Sequence, residues 1–148
     1  MKKITIITLL ATALLTSCKD GGGTDPDPAQ AQLEKLSKTW TTVSVTFGGS
    51  EDRTTDWSAF TLTATAAKTY TTTNAFSPGP WPASGSFDFA MNGDQADINK
   101  LVRNDGLEIG ITVTETDLTM TFTYDDTAHS GGRTEIVNGQ YVFKMKAQ

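Results

Sequence analysis

Beyond Trp40 the chain alternates between apolar and polar positions with a period of two. The stretch 117–125 shows the pattern most clearly, because Leu, Met, Phe and Tyr are separated there by threonines. Such alternation is typical of half-buried antiparallel strands, whose side chains point to opposite faces in turn. The pattern predicts nine strands, at residues 39–47, 58–65, 68–74, 84–91, 95–103, 107–115, 117–125, 132–137 and 140–147.

Short turn signals separate these strands. Asn104-Asp105-Gly106 and Asn138-Gly139 are hairpin signals, since Asn, Asp and Gly tolerate the positive φ angles of tight turns. Eight or nine strands joined mostly by hairpins predict an all-β fold, an antiparallel up-and-down meander. Closure into a barrel is expected because it removes exposed edges. A β-sandwich of two sheets is the alternative.

One short helical pattern precedes the strands, at residues 30–38. Leu33 and Leu36 are three positions apart, and charged residues occupy the other side. One or two turns packed against the barrel are all that this length supports. Trp40 follows directly, at the start of the first strand. We therefore expect Trp40 to be buried as the structural floor of the barrel.

The two ends of the predicted barrel carry different connections, because alternate connections of a meander lie at the same end. Tight turns share the helix end, at 66–67, 92–94, 116 and 138–139. Longer loops share the opposite end, which we call the mouth, at 48–57, 75–83, 104–106 and 126–131. Long loops on a rigid scaffold are where binding usually occurs.

The first 18 residues indicate export. Lys2 and Lys3 precede an apolar stretch at 4–15, which is too short to span a bilayer of about 30 Å. Leu15-Thr16-Ser17-Cys18 resembles the lipobox of bacterial lipoprotein signal peptides. The resemblance implies cleavage before Cys18 and its modification by acyl chains such as palmitate, which anchor the protein to the membrane. The alternative is an ordinary secretory peptide with an unrelated cysteine.

These features divide the chain into three parts. Residues 1–17 are the predicted signal peptide, and residues 18–31 are a lipidated tether, predicted to be disordered because it is rich in Gly, Pro and Asp. Residues 32–148 form the predicted barrel domain. Lys19-Asp20 resembles part of the export signal of surface lipoproteins of the Bacteroidetes type, which implies an outer-membrane protein displayed at the cell surface.

Charge and cysteine content exclude several classes of function. Twelve Lys and Arg face 17 Asp and Glu, a net charge of −5, and removal of Lys2 and Lys3 leaves 10 against 17, or −7. This balance argues against a nucleic-acid partner, which requires positive charge to neutralise phosphates. A single cysteine excludes an internal disulfide and a cysteine-based zinc site.

Several stretches resemble small lipocalin-like lipoproteins of the Bacteroidetes type. They lie at 81–87, 102–107 and 132–143. The short helix, the Trp that opens the first strand and the long first loop agree with them. The resemblance implies a lipocalin-like barrel. Lipocalins proper have Gly two places before that Trp, where this chain has Lys38, and the resemblance does not identify a ligand.

Aromatic residues in the mouth loops are the candidate ligand site. Trp57 and Trp81 both fall on this rim, and the prolines on either side of Trp81 would hold its ring ready to stack on a sugar or a flat ligand. Phe76 and Arg133 are assigned to the same site. The alternative is that each Trp folds over the mouth as a hydrophobic lid.

Other chemistry finds little support in the sequence. Asp125, Asp126 and His129 could suggest a metal site, but an Asp-rich loop is more often a solvated turn, and neither a metal nor a cofactor is predicted. The sequence has no Gly-x-Ser-x-Gly elbow and no phosphate-binding loop, so it does not predict an enzyme.

Two functional hypotheses follow. In the first, a membrane-anchored barrel binds a small apolar molecule or a glycan at its mouth. In the second, the barrel is solid, because large inward side chains can fill an eight-stranded interior, and an accessory surface lipoprotein acts through protein contacts. The sequence does not name those protein partners.

Overall fold

A computed structural model describes residues 27–76, 79–125 and 137–148. The predicted signal peptide and most of the tether lie outside the described residues. So do residues 132–136 of the strand predicted at 132–137, and Asp126, His129 and Arg133. The described elements are, in chain order, α1 (Pro28–Leu36), β1 (Thr39–Phe47), β2 (Glu51–Asp52), β3 (Thr61–Ala64), β4 (Thr69–Thr73), β5 (Ser84–Asn92), β6 (Gln95–Arg103), β7 (Glu108–Val113), β8 (Asp117–Tyr124) and β9 (Gly139–Ala147).

Eight of these strands form a closed antiparallel barrel. Each strand pairs with the next in the order β1, β3, β4, β5, β6, β7, β8 and β9, and β9 pairs back onto β1. The two-residue β2 extends this sheet at the end of β1, where Thr46 pairs with Asp52. The predicted all-β barrel with a short N-terminal helix is confirmed, and the sandwich alternative is not.

Alternation of side chains explains why these segments become barrel strands. In β8, Leu118, Met120 and Phe122 are buried, and the threonines between them face outward. On the outer face, the Oγ1 atoms of Thr61 and Thr73 lie 2.6 Å apart across β3 and β4. Threonine therefore suits both the pleated backbone and the wet outer face.

The helix begins earlier than the sequence analysis predicted. The carboxylate of Asp27 accepts a hydrogen bond of 3.0 Å from the backbone N–H of Ala29, and Pro28 occupies the first helical position. An Asp cap followed by Pro is a strong helix start. Residues 28–31, which composition assigned to the tether, therefore form the first turn of α1.

The helix and Trp40 close one end of the barrel, which we call the floor. Leu33 and Leu36 are buried, and the Gln32 amide donates a 2.9 Å hydrogen bond to the Ile98 carbonyl on β6. Trp40 is fully buried, and its indole N–H donates a 3.0 Å bond to the Leu36 carbonyl. This hydrogen bond links the start of β1 to the end of α1.

The opposite end of the barrel is the mouth, and one predicted turn belongs there rather than at the floor. Tyr124 pairs with Gly139, so β9 runs directly alongside β8 from the mouth to the floor. Asn138-Gly139 therefore lies at the mouth, and its predicted place at the tight-turn end is wrong. The prediction counted a strand at 132–137 as one wall of the barrel, which moved the following turn to the other end.

Candidate functional site at the barrel mouth

A cluster of buried aromatic rings fills the barrel beneath the mouth. The rings contact one another edge-on or stacked, with centroids 5.0 Å apart between Trp57 and Phe143 and 5.7 Å apart between Trp81 and Phe122. Such pairs add to the stability that burial of each ring supplies. We call this set the mouth cluster: Trp57, Phe60, Trp81, Phe122, Tyr141 and Phe143.

Trp57 enters the cluster from the first mouth loop. Its backbone N–H donates to the Thr54 carbonyl at 3.2 Å, and its own carbonyl accepts from Phe60 N–H at 3.0 Å. These turns direct the indole inward, where its ring lies edge-on to Phe60. Phe76 lies at the surface, half exposed, with its ring centroid 6.3 Å from that of Trp57.

Trp81 enters from the loop between β4 and β5. Thr72 anchors this loop, since its N–H donates to the Ala83 carbonyl and its hydroxyl to the Pro82 carbonyl, both at 2.8 Å. The indole is 5% exposed and makes an edge contact with Tyr70 at a centroid distance of 5.9 Å. Trp57 and Trp81 thus share one cluster at the mouth, as parity predicted, but both rings are buried in it.

A buried arginine holds the Trp81 loop in place. The Arg103 guanidinium donates to the Pro80 carbonyl and to both carboxylate oxygens of Asp105, and it lies over the Trp81 ring at 5.2 Å. The hydrogen bond from Arg103 is the main reason that the pKa of Asp105 is lowered. Sequence reasoning missed Arg103, although Arg at an inward position with Asp two residues later was a usable signal.

A cavity of about 30 Å³ lies between the mouth cluster and the floor. Its walls are almost entirely apolar, with Leu36, Trp40, Leu62, Leu101 and Met120 among them, and Tyr70, Trp81 and Arg103 border it as well. Pockets for drug-sized ligands are roughly 300–1,000 Å³. The space inside the barrel is therefore about tenfold too small for a lipid.

Two buried polar atoms beside this cavity lack partners. The Tyr70 hydroxyl and the Trp81 indole N–H find no hydrogen-bond partner in the part of the chain that the structure describes. Burial raises the pKa of Tyr70. Tyr141 differs, because its hydroxyl donates to the Val137 carbonyl at 2.9 Å, and burial raises its pKa to about 12.

An open groove of about 280 Å³ lies on the outer rim of the mouth. Arg103, Asp105 and Leu107 form one side, and Tyr124 and Asp125 at the end of β8 form the other. The carboxylate of Asp125 accepts a 3.2 Å hydrogen bond from the Asn138 side chain. The groove has a much larger volume than the cavity inside the barrel, so a partner could contact its walls although it could not enter the interior.

No protein-family model, curated protein or solved structure matches this chain. Function must therefore be inferred from the fold and the mouth. Within the described ranges, no group of three or more His, Cys, Asp or Glu side chains could hold a metal ion. The helix of the described region is too short and too polar to cross a membrane.

Proposed function

We propose that this protein is a lipid-anchored, lipocalin-like surface lipoprotein whose barrel is a solid scaffold, acting through protein contacts at the rim of its mouth. The lipobox-like sequence ending at Cys18 supports the anchor. Because α1 lies at the floor and the tether precedes it, an anchored chain would present the mouth away from the membrane. The mouth loops are then the part of the barrel farthest from the lipid.

The observation that carries this proposal is the filled interior. The mouth cluster covers the barrel from above, α1 and Trp40 cover it from below, and the space left between them is about 30 Å³. A lipid or an oligosaccharide needs many times that volume. Binding inside would therefore require several aromatic rings to leave their packed positions.

The rim offers the accessible chemistry that the interior lacks. Phe76 is half exposed, and Arg53, which pairs with Glu51 at 2.7 Å and Asp56 at 3.5 Å, lies over the Phe47 ring. The groove beside Asp105 adds a concave surface. An aromatic residue, charged groups and a groove on one rim are features that protein-binding surfaces combine.

Site-specific cross-linking in cells tests the proposal. A photoreactive amino acid at Phe76 should cross-link to a discrete partner protein, whereas the same group at Val43, which is 52% exposed on the barrel wall, should not. Equal cross-linking from both positions would indicate random collision. No adduct from Phe76, Asp56 or Leu107 would contradict a rim interface.

Binding of a small molecule or glycan at the mouth, with Trp57, Trp81, Phe76 and Arg133 as its residues, is the second candidate function. The Phe76 ring favours it, because it is half exposed beside Trp57 and could stack on a flat ligand or a sugar. A thermal-shift panel of lipids and oligosaccharides separates the two functions. An unchanged Tm is expected for the solid barrel, and a saturable increase in Tm would mean that the mouth cluster opens.

A further inference from the structure

We infer that a short open strand edge at the floor of the barrel, on β5 from Phe89 to Asn92, binds an extended, positively charged segment of a partner protein as an added β-strand. The edge is open because the neighbouring strand ends before β5 does. It lies at the opposite end of the barrel from the mouth, so this interaction surface goes beyond the proposed function.

β5 and β6 continue past their neighbours as a two-stranded arm, which consists of residues 88–92 and 95–99. β4 pairs with β5 only at residues 84–86, and β7 pairs with β6 only at residues 100–102. Between these limits and their turn, β5 and β6 pair with each other. At about 3.3 Å per residue, the β5 part of the arm is roughly 16 Å long. Each strand of the arm therefore has one side on which no other described strand pairs with it.

The two sides of the arm differ. On the β6 side, the Gln32 amide of α1 donates a 2.9 Å hydrogen bond to the Ile98 carbonyl, so the helix covers that edge. On β5, Met91 follows Phe87 and Phe89 in the alternation of the strand, but those two rings are buried and Met91 is 65% exposed. The apolar face of β5 thus reaches the surface where the arm leaves the barrel.

The backbone of β5 shows which groups the open edge offers. The Phe87 N–H donates to the Lys68 carbonyl at 2.9 Å, and the Phe89 N–H donates to the Asp88 carboxylate at 2.8 Å, so neither bond runs to β6. Because backbone groups of a strand alternate in direction, the N–H and C=O of Met91 face the same side. No described strand pairs with Met91 on that side. This edge therefore presents a backbone donor and acceptor to an incoming strand.

The charge of the arm selects the occupant. It carries three carboxylates, and the nearby ammonium of Lys68 pairs with one of them, Asp88, at 2.6 Å. Asp97 accepts a 3.0 Å hydrogen bond from the Asn99 N–H, and Asp94 is exposed at the turn. The surplus of negative charge attracts a segment that contains Lys or Arg. It repels a second copy of the same arm and an anionic bilayer.

The side-chain pattern of the occupant follows from the two faces of β5. Asp88 and Met91 lie on opposite faces, since their positions differ by an odd number of residues. An added strand with alternating apolar and basic residues would place its apolar side chains beside Met91 and its basic ones on the face of Asp88. In such strand addition, backbone hydrogen bonds supply affinity and the alternate side chains supply specificity. The short edge predicts weak, reversible binding.

Nuclear magnetic resonance tests the inference on the chain from Lys19 to Gln148, which retains every described residue. The probe is an acetylated hexapeptide of alternating lysine and valine. The amide signals of Phe89–Asn92 should shift and saturate, and solvent exchange of the Met91 amide should slow several-fold as its N–H becomes hydrogen-bonded. The same peptide with glutamate in place of lysine should bind about tenfold more weakly or not at all.

Variants of one exposed position supply the controls in the protein. Met91→Lys places a positive charge at the open edge and should weaken binding of the basic peptide about tenfold. Met91→Leu keeps an apolar side chain and should bind as the native chain does. Val43→Lys adds the same charge at a position that is 52% exposed on the barrel wall, and it should leave binding unchanged. Equal weakening by both lysine variants would mean general charge repulsion and would overturn the site.

A peptide that is N-methylated at alternate residues separates strand addition from simple charge attraction. It keeps every side chain but lacks the N–H donors on one edge, so it should not bind. Equal binding of the methylated peptide would overturn the added strand. Shifts outside residues 88–92, or no saturable shift, would do the same. Binding of phosphatidylcholine vesicles by the arm, without binding of the peptide, would make the arm a membrane contact instead.

The outcome is independent of the proposed function, because the arm and the rim lie at opposite ends of the barrel. Failure of the peptide titration leaves cross-linking from Phe76 as the test of the rim. Absence of cross-links from the rim leaves the open edge of β5 unchanged. The two failures are therefore distinguishable.

Discussion

The buried guanidinium of Arg103 joins three parts of the mouth. It contacts the Pro80 carbonyl in one loop, Asp105 in the next turn and the Trp81 ring inside the barrel. Asp105 is about half exposed, so the ion pair alone contributes little, and the enclosed bond to Pro80 matters more. Arg103 therefore stabilises the mouth mainly through its buried hydrogen bond to the Pro80 carbonyl, and less through its ion pair with Asp105.

Replacement of Arg103 by Met should therefore destabilise the fold by about 1–3 kcal/mol, because it leaves a buried carbonyl unpaired. Urea unfolding measures the loss. Arg53→Met is the matched control, since Arg53 pairs with acidic groups at the partly exposed rim and should cost less than about 1 kcal/mol. Similar losses for both variants would show that Arg103 does not hold the mouth loop.

Trp40 gives the second prediction at this scale. Trp40→Ala removes a fully buried ring and its hydrogen bond to Leu36, so unfolding should be easier by about 3–5 kcal/mol. Val43→Ala on the same strand removes an exposed side chain and should change stability by less than about 0.5 kcal/mol. A loss below about 1 kcal/mol for Trp40→Ala would mean that the floor is not part of the core.

Single residues differ in how far the sequence reveals them. Trp40 could be placed because it lies between a helical pattern and a strand pattern. The burial of Trp57 and Trp81 could not be predicted, because loop residues have no periodic pattern that shows whether a side chain faces the core or the solvent. Arg103 was missed because a charged residue at an inward position is acceptable only with a partner, and partners become visible with the fold.

The helix α1 behaves as part of the barrel rather than as the end of a tether. Its cap at Asp27 and its first turn precede the boundary predicted at residue 32, and the Gln32 bond to Ile98 fixes it on β6. A short helix depends on packing and capping for its stability. Removal of its first turn should therefore affect the whole fold.

A chain that starts at Asp27 should melt at a higher temperature than one that starts at Gln32. Loss of the cap and of one turn is expected to cost about 1–2 kcal/mol, measured as a decrease in Tm by calorimetry. Asp27→Asn is the control, because asparagine caps helices about as well. Equal Tm values for the two chains would mean that residues 28–31 do not stabilise the barrel and belong to the tether.

Strands β4 and β5 approach each other closely where Tyr70 pairs with Gly85. A Cβ atom at Gly85 would lie 2.6 Å from the Tyr70 hydroxyl and 2.7 Å from the Asn104 side-chain oxygen. Gly85→Ala should therefore destabilise by about 1–3 kcal/mol through overpacking. At Gly110→Ala the nearest atom is 3.5 Å away, so this control should be tolerated in the same urea titration. Equal tolerance would mean that Tyr70 moves aside freely.

Most strands could be predicted because inward and outward positions alternate over their length. The strand predicted at 58–65 is shorter, Thr61–Ala64, because Trp57 and Phe60 form turn bonds before it. The two-residue β2 carries no pattern and depends on pairing with β1. Boundaries and short pairings are set by tertiary contacts, which local alternation does not contain.

At the scale of the whole molecule, the proposed lipid anchor would hold the barrel at a membrane surface. Cys18→Ser removes the thiol that the lipobox-like sequence would present for acylation, so the protein should leave the membrane fraction or remain as an uncleaved precursor. Fractionation and blotting measure this outcome. Thr16→Val, which keeps the cysteine, is the control and should remain in the membrane. Normal processing and membrane association of Cys18→Ser would refute the anchor.

Closure of the barrel also sets the order in which the protein can fold. The Thr41 hydroxyl donates to the Lys146 carbonyl across 105 positions of the chain, and β9 is the last of the described strands in chain order. Contacts between residues so far apart form slowly, because the intervening chain must first be brought together. Until β9 arrives, β1 and β8 are open strand edges that can pair with other chains. Pairing of β9 with both β1 and β8, rather than the formation of any early hairpin, is therefore the step that covers these two strand edges.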